Sequence, residues 1–276
     1  MDKKIADEIW YWYLVGDWRV PPPRWLARGQ QFFNGIYKFI PGSPHCFECG
    51  VPMAGIGGTL LRFMGSRPSS FSSRLCSNCE KHARQQESGA EVDLTMLFAD
   101  VRDSTPLAES QGTKRFQELI GRFYKETSHV LVEHNAMVNR LMGDQVIALF
   151  VPRFAGKDHA KVALHAAREL LHVTGHENPN GPWIPVGIGI HTGMAYVGAV
   201  GSKDGVNEIA VLGSAANLCA RLSSKAAAGE ILVSEDAIKS GGLDPQGLED
   251  RHLELKGVSQ PVSVGVIHIT SINSPL

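Results

Sequence analysis

From residue 92 onward the hydrophobic pattern changes period several times, and the order of those changes limits the fold more than any other feature. VDLTMLFAD (92–100) is a short, dense apolar run and reads as a buried strand. QGTKRFQELIGRFYKETSHVLVEHN (111–135) repeats its apolar residues at helical spacing. AMVNRLM and QVIALFV then form a hairpin around Gly143-Asp144, a dipeptide suited to a tight turn. KDHAKVALHAARELLHVTG is a second helix, and WIPVGIGIHTG with MAYVGAVG reads as a second hairpin. NEIAVLG is a strand running into the helix SAANLCARLSSKA, and EILVS, HLELK and VSVGVIHI are short closing strands. The order β-α-β-β-α-β followed by more strands is the split βαβ, ferredoxin-like arrangement of the α+β class. With 276 residues, 43% hydrophobic and 20% charged, the chain can bury one large core or two unequal ones.

Upstream of residue 92 the composition changes twice. Residues 1–40 are dense in aromatics (IWYWYLVGDW, PPPRW, QQFFNGIYKF), and the triple proline stops any helix begun by the first stretch. Such density suits packing on a neighbouring domain or subunit better than a membrane-surface helix, because few basic residues accompany it. Residues 41–82 hold Cys46, Cys49, Cys76 and Cys79 as two CxxC pairs around a Gly- and Ser-rich interior. Four thiolates in two such pairs suit a closed, structural zinc site, and the interior is too polar to supply a core of its own. His45 and His82 flank the pairs as possible substitute ligands, but four cysteines already close a tetrahedron. Cys219 lies in a helical pattern and reads as a small buried residue. Residues 83–91 are polar and read as a linker to a domain spanning 92–276.

The net charge of −1 gives no global basic surface for nucleic acid, which leaves only a local patch open. No signal peptide and no apolar run of transmembrane length is legible, so a cytoplasmic protein is expected. In that reducing setting the paired cysteines point to metal before disulfides.

The polar residues that close these elements form a pattern. Asp100 ends the first strand and is followed by VRDST, where a carboxylate emerges beside backbone N–H groups. In the ferredoxin-like arrangement the 136–151 hairpin is its neighbour, so Asp144 can approach Asp100. Two aspartates at adjacent strand ends suit two hard cations and phosphoryl chemistry. Asn217 and Arg221, four residues apart, share one helix face. Each of these residues alone is as well explained by a turn or a solvated helix face, and Lys256 in LELKG is equally ambiguous.

Together, however, TMLFADVRDSTPLAE, NRLMGDQVIALF, GIGIHTGMAYVGAVGS, LGSAANLCARLSSKAAAGEILVSE and LELKGVSQPV resemble the signature segments of the class III nucleotide cyclases, the adenylate and guanylate cyclase catalytic domain. The likeness runs from about residue 92 to 269, and the cysteine module resembles the zinc-ribbon-type extension of some bacterial members. The resemblance implies that Asp100 and Asp144, with the carbonyl of Val101, hold two Mg²⁺ or Mn²⁺. It implies that Asn217 holds the ribose, that Arg221 stabilises charge on the α-phosphate and that Lys256 meets the terminal phosphate. The backbone of 101–105, with Ser104 and Thr105, would cradle the phosphates. One such domain per chain implies a homodimer, with the aspartates of one chain facing Asn217, Arg221 and Lys256 of the other.

Two positions depart from the family. Where adenylate cyclases place a lysine and an Asp, Thr or Ser, and guanylate cyclases Glu and Cys, this chain has Arg140 and Ala210. Neither can accept from guanine, which disfavours GTP. Arginine is longer than lysine and presents a planar fork, which suits the acceptor edge of cytosine or uracil. The expected substrate is therefore UTP or CTP, near the pyrimidine cyclases of bacterial antiphage systems, whose product switches on a separate effector. The alternatives are ATP, with Arg140 acting as a lysine would, and a catalytically silent cyclase-like domain that binds partners through its zinc module.

Overall fold

The computed structural model describes residues 3–16, 40, 42–63, 67–69, 72, 74–85, 88–201, 207–255 and 260–269. The chain divides into two units, one of Met1–Val92, Val151–Phe154 and Tyr196–Val211, the other of Asp93–Phe150, Ala155–Ala195 and Leu212–Leu276. In chain order the helices are α1 (Lys3–Val15), α2 (Gly55–Phe63), α3 (Ser77–Arg84), α4 (Ser104–Gln111), α5 (Thr113–Glu133), α6 (Pro152–Ala155), α7 (His159–Val173), α8 (Ser214–Lys225) and α9 (Glu235–Gly241). The strands are β1 (Gly89–Val101), β2 (Met137–Met142), β3 (Gln145–Phe150), β4 (Val186–Gly201), β5 (Asn207–Leu212), β6 (Glu230–Ser234), β7 (Glu249–Leu253) and β8 (Val262–His268).

The larger unit is organised by a mixed sheet ordered β2-β3-β1-β4-β6-β8-β7. Its first four strands are the expected ferredoxin-like set, with β1 antiparallel to β3 and β2 antiparallel to β3. β6 lies parallel to β4, while β8 runs antiparallel to both β6 and β7. Strand alternation sends Ile231 and Val233 into one core and Leu232, between them, into another. The first core joins Phe123, Leu131, Leu164 and Leu170 from α5 and α7 to Leu97, Phe150 and Ile188 of the sheet. The second joins Leu222 and Ala226, at the end of α8, to Leu232, Val264 and Val266.

Glycine sets how closely α8 approaches the sheet. A Cβ at Gly189 would stand 2.3 Å from the backbone N of Ser223, and one at Gly187 would stand 2.5 Å from the carbonyl O of Ala226. No side chain fits between β4 and the last turns of α8. Cys219 completes the seam: it is fully buried, and its thiol donates to the carbonyls of Met96 and Gly189 at 3.3 Å each. Burial raises that thiol's pKa, consistent with the small buried role expected of it.

The second hairpin expected between residues 183 and 201 is instead one continuous strand, β4. Thr192 is buried within it and bonds Thr95 of β1 at 2.7 Å, which keeps the chain extended where a turn was expected. The returning strand is β5, which pairs with β4. The strand expected at HLELK begins earlier, at Glu249. α9 was not expected: Ser234 caps it by accepting from the backbone N–H of Ala237.

In the smaller unit α1 buries Ile9, Trp10, Trp12 and Leu14, so this part of the aromatic segment is packed. Asp7 accepts a hydrogen bond from Ser88, and the Arg153 guanidinium lies over the Trp12 ring at 3.9 Å. The PPPRW and QQFFNGIYKF stretches lie outside the described residues. Within the stretch read as a linker, α3 ends at Arg84 and β1 begins at Gly89. No helix among the described residues is long and apolar enough to cross a membrane.

Candidate functional site

The turn between β2 and β3 is two residues long, as the Gly143-Asp144 dipeptide implied, and Gly143 takes φ +63°. A Cβ there would meet nothing within 4 Å, so backbone conformation alone calls for glycine. The turn is held from two sides. Tyr124 of α5 donates its hydroxyl to the Gly143 carbonyl at 2.6 Å, and Ser104, at the start of α4, donates to the Asp144 carboxylate. A groove of about 650 Å³ runs beside it between α4 and α5, lined by Ser104, Thr105, Phe116, Ile120, Tyr124 and Asp144.

β1 brings Asp100 to this turn. Asp100 is in register with Gln145 of β3, and the next residue, Val101, donates its backbone N–H to the Asp144 carbonyl at 3.0 Å. After β1 the chain turns sharply: Asp103 adopts a left-handed φ of +52° and α4 starts at Ser104. Burial pushes the Asp100 carboxyl above the usual carboxylate range; Arg102 pulls it down and the Asp144 charge pushes it up. The Arg102 guanidinium is ion-paired with the Asp100 carboxylate. It holds the place that a cation on Asp100 would take, with the Asp144 charge near enough to act on the same carboxyl. That donor chemistry fits Mg²⁺ or Mn²⁺.

α8 presents its small and apolar residues, Ala215, Ala216, Cys219, Leu222 and Ser223, to the interior. Asn217 is consequently exposed and Arg221 half-exposed. Arg140 lies on β2, opposite Ile147 and just after a register shift that follows Val138. Ala210 is half-buried on β5, in the smaller unit. Lys256 lies outside the described residues. Thr105 is exposed in the first turn of α4. Two site residues went unrecognised in the sequence, Arg102 and Tyr124. Arg102 could have been suspected from its place two residues after Asp100; nothing in the helical repeat singles out Tyr124.

In the smaller unit the four cysteines converge. One sulfur from each of Cys46, Cys49, Cys76 and Cys79 lies within 4.8 Å of the others, and Cys49 and Cys76 are 3.7 Å apart. Bonds of about 2.3 Å to a tetrahedral zinc would set its sulfurs about 3.8 Å from each other. The loop carrying the first pair is tightened by Cys46 N–H to Val51 and Gly50 N–H to the Cys46 carbonyl, 2.9 Å each. The Cys76 N–H also donates to the Cys46 sulfur at 3.3 Å. Hydrogen bonding among the sulfurs, Cys46 first in each case, lowers the pKa of the Cys76 thiol and raises those of Cys49 and Cys79. The donor set fits zinc.

Residues 87–261 match the family model described as the adenylate and guanylate cyclase catalytic domain. The chain belongs to that family. Among solved structures, the cyclase domain resembles the guanylyl cyclase Cya2 (25% identical, TM-score 0.57, covering 64% of this chain and 92% of that one). It shares its fold with the adenylyl cyclase CyaB from P. aeruginosa (24% identical, TM-score 0.56, covering 65% and 96%). Among curated proteins, MT1361 of Mycobacterium tuberculosis is 26% identical over 204 residues, 68% of this chain and 35% of that protein. Adenylate cyclase 1 of Rhizobium meliloti is 27% identical over 135 residues, 47% of this chain and 20% of that protein. The chain thus spans about a third or less of the length of these curated relatives.

Proposed function

We propose that the protein is a nucleotide cyclase that converts a nucleoside triphosphate to its 3′,5′-cyclic monophosphate and pyrophosphate. The observation that carries this is the placement of Asp100, near the end of β1, beside Asp144 in the β2–β3 turn, one carboxylate held by a guanidinium and the other by a hydroxyl, inside a cyclase-family domain. Asp100, Asp144 and the carbonyl of Val101 would hold two divalent cations. When bound, these would lower the pKa of the ribose 3′-hydroxyl and offset charge on the triphosphate. The 3′-oxygen bonds to the α-phosphorus and its proton leaves to solvent. The bond from that phosphorus to the β-phosphate bridging oxygen breaks, and pyrophosphate departs.

The other roles belong to the chain's own side chains. Asn217 orients the ribose, and Arg221 offers a fork to the α-phosphate oxygens. Ser104, Thr105 and the backbone of 101–105 receive the phosphates, and Lys256 meets the terminal one. We assign these groups to two chains of a homodimer. Leu141, Met194 and Leu212 are large apolar residues left exposed in the cyclase domain, which supports a second copy covering them. Residues 41–82 act as a structural zinc module and 92–276 as the catalytic domain.

For the base, Arg140 and Ala210 favour UTP or CTP, because Ala210 provides no side-chain acceptor for the adenine amino group and Arg140 offers paired donors. ATP is the second reading. A pyrimidine product would serve a separate effector, as in antiphage signalling. Incubation with each of the four triphosphates and Mn²⁺, read by mass spectrometry, tests both levels. Dominant cyclic UMP or CMP supports the pyrimidine reading, and dominant cyclic AMP replaces it with the adenylate one. No cyclic product from any of the four leaves a silent binding domain.

A further inference from the structure

Arg102 makes three contacts that nothing in the proposed chemistry requires. Its guanidinium pairs with the Asp100 carboxylate, its Nε donates to the Asp100 carbonyl at 3.3 Å, and a terminal N–H donates to the Ser224 carbonyl at 3.1 Å. Ser224 is in the last turn of α8, whose final carbonyls have no partner further along the helix. A guanidinium there caps the helix and meets the negative end of its dipole. Arg102 is itself fixed at its backbone, where its N–H donates to the Pro185 carbonyl at 2.8 Å. The side chain is largely buried, at 18% exposure, so it reaches both partners from a constrained position.

We propose that Arg102 is a positioning residue that competes with a divalent cation for Asp100 and transmits the outcome to the C-terminal turn of α8. The inference rests on the two-aspartate reading of the metal site. A dication on Asp100 removes the carboxylate that the guanidinium pairs with and repels the guanidinium itself. The cap on Ser224 then loosens. In the homodimer assigned above, Asp100 belongs to one active site and Asn217 and Arg221 of the same chain to the other. Arg102 therefore lies on the path between the metal half of one site and the ribose- and phosphate-binding half of its twin.

The experiment uses the full chain with Mn²⁺ alone, without nucleotide. Mn²⁺ affinity is read by electron paramagnetic resonance for wild type, Arg102→Gln and Arg102→Lys. Amide hydrogen exchange is followed through residues 222–227 with and without Mn²⁺. Loss of a competing ion pair is expected to tighten Mn²⁺ binding by about five-fold in Arg102→Gln. Lysine keeps the charge but not the fork, so Arg102→Lys should fall between the two. Mn²⁺ should speed exchange at the end of α8 in wild type, while in Arg102→Gln exchange should be fast already and unresponsive. Equal affinities in all three chains, or an α8 indifferent to Mn²⁺ in wild type, would overturn the role of Arg102 and leave the metal site standing. Wild type that binds no Mn²⁺ would overturn both.

Discussion

The cysteine cluster takes its sulfurs from a tight loop and from the start of an eight-residue helix, whereas Asp100 lies near the end of a strand laddered to the one that the Asp144 turn opens. The difference lies in what sets the geometry. The four sulfurs lie on short, polar segments held by a few local hydrogen bonds, so a metal there would couple its binding to folding. The aspartates are put side by side by backbone pairing, so a cation there would meet a site already shaped. One cluster should need its metal to exist and the other only to act.

The sharpest way to break this contrast is at the aspartates. Asp144→Asn should lower cyclase activity well beyond the roughly 100-fold that loss of a supporting partner costs. Its melting temperature should move little, since only the Ser104 hydrogen bond is weakened, about 1 kcal/mol. Activity lost together with cooperative melting of the sheet would show that the ladder does not preset the site. Cys46→Ser should behave in the opposite sense. Structural zinc in small modules is bound with about 10–16 kcal/mol near neutral pH, so the variant should lose zinc by metal analysis and lose protection from proteolysis in the smaller unit. A zinc-free variant that resists protease as wild type does would remove the distinction from the other side.

Smaller effects sharpen the picture. Gly189→Ala forces a Cβ against the backbone of α8 and should cost about 1–3 kcal/mol of overpacking. At about 2–4 °C per kcal/mol for a chain of this size, calorimetry would resolve it. Activity should fall with it, because the displaced helix carries Asn217 and Arg221. The gentlest test is acid. The Arg251 side chain hydrogen-bonds both oxygens of Glu230 at 2.9 Å and holds that carboxyl below its usual range. The folded pKa lies below the unfolded value of about 4.3, so the stabilisation is present above that pH and fades as the pH falls through the folded value. Glu230→Gln should therefore flatten the acid limb of melting temperature against pH and leave it unchanged in shape near neutrality.

Much of the larger unit was legible because its elements obey clean periods. The apolar run at 92–100 and the helical repeat at 111–135 each have one reading, and the Gly-Asp turn fixes the hairpin of β2 and β3. GIGIHTGMAYVGAVG misled because glycine is common both to turns and to strands crossed at close range. Here Gly187 and Gly189 serve the close approach of α8. Asp100 and Asp144 could be paired from topology, since strand order dictates which ends are neighbours. Arg102 and Tyr124 could not, because their roles depend on side-chain reach across the chain to Ser224 and to Gly143. CxxC spacing announced a four-sulfur cluster but said nothing of the hydrogen bonds that tighten its loops.

A helix resting on side chains inherits their rotamer hopping, and its own residues are blurred by that motion. α8 rests on peptide planes at Gly187 and Gly189, so the stiffness beneath it is that of hydrogen-bonded strands. The roles proposed for the Asn217 amide and the Arg221 guanidinium would draw their precision from two missing methyl groups.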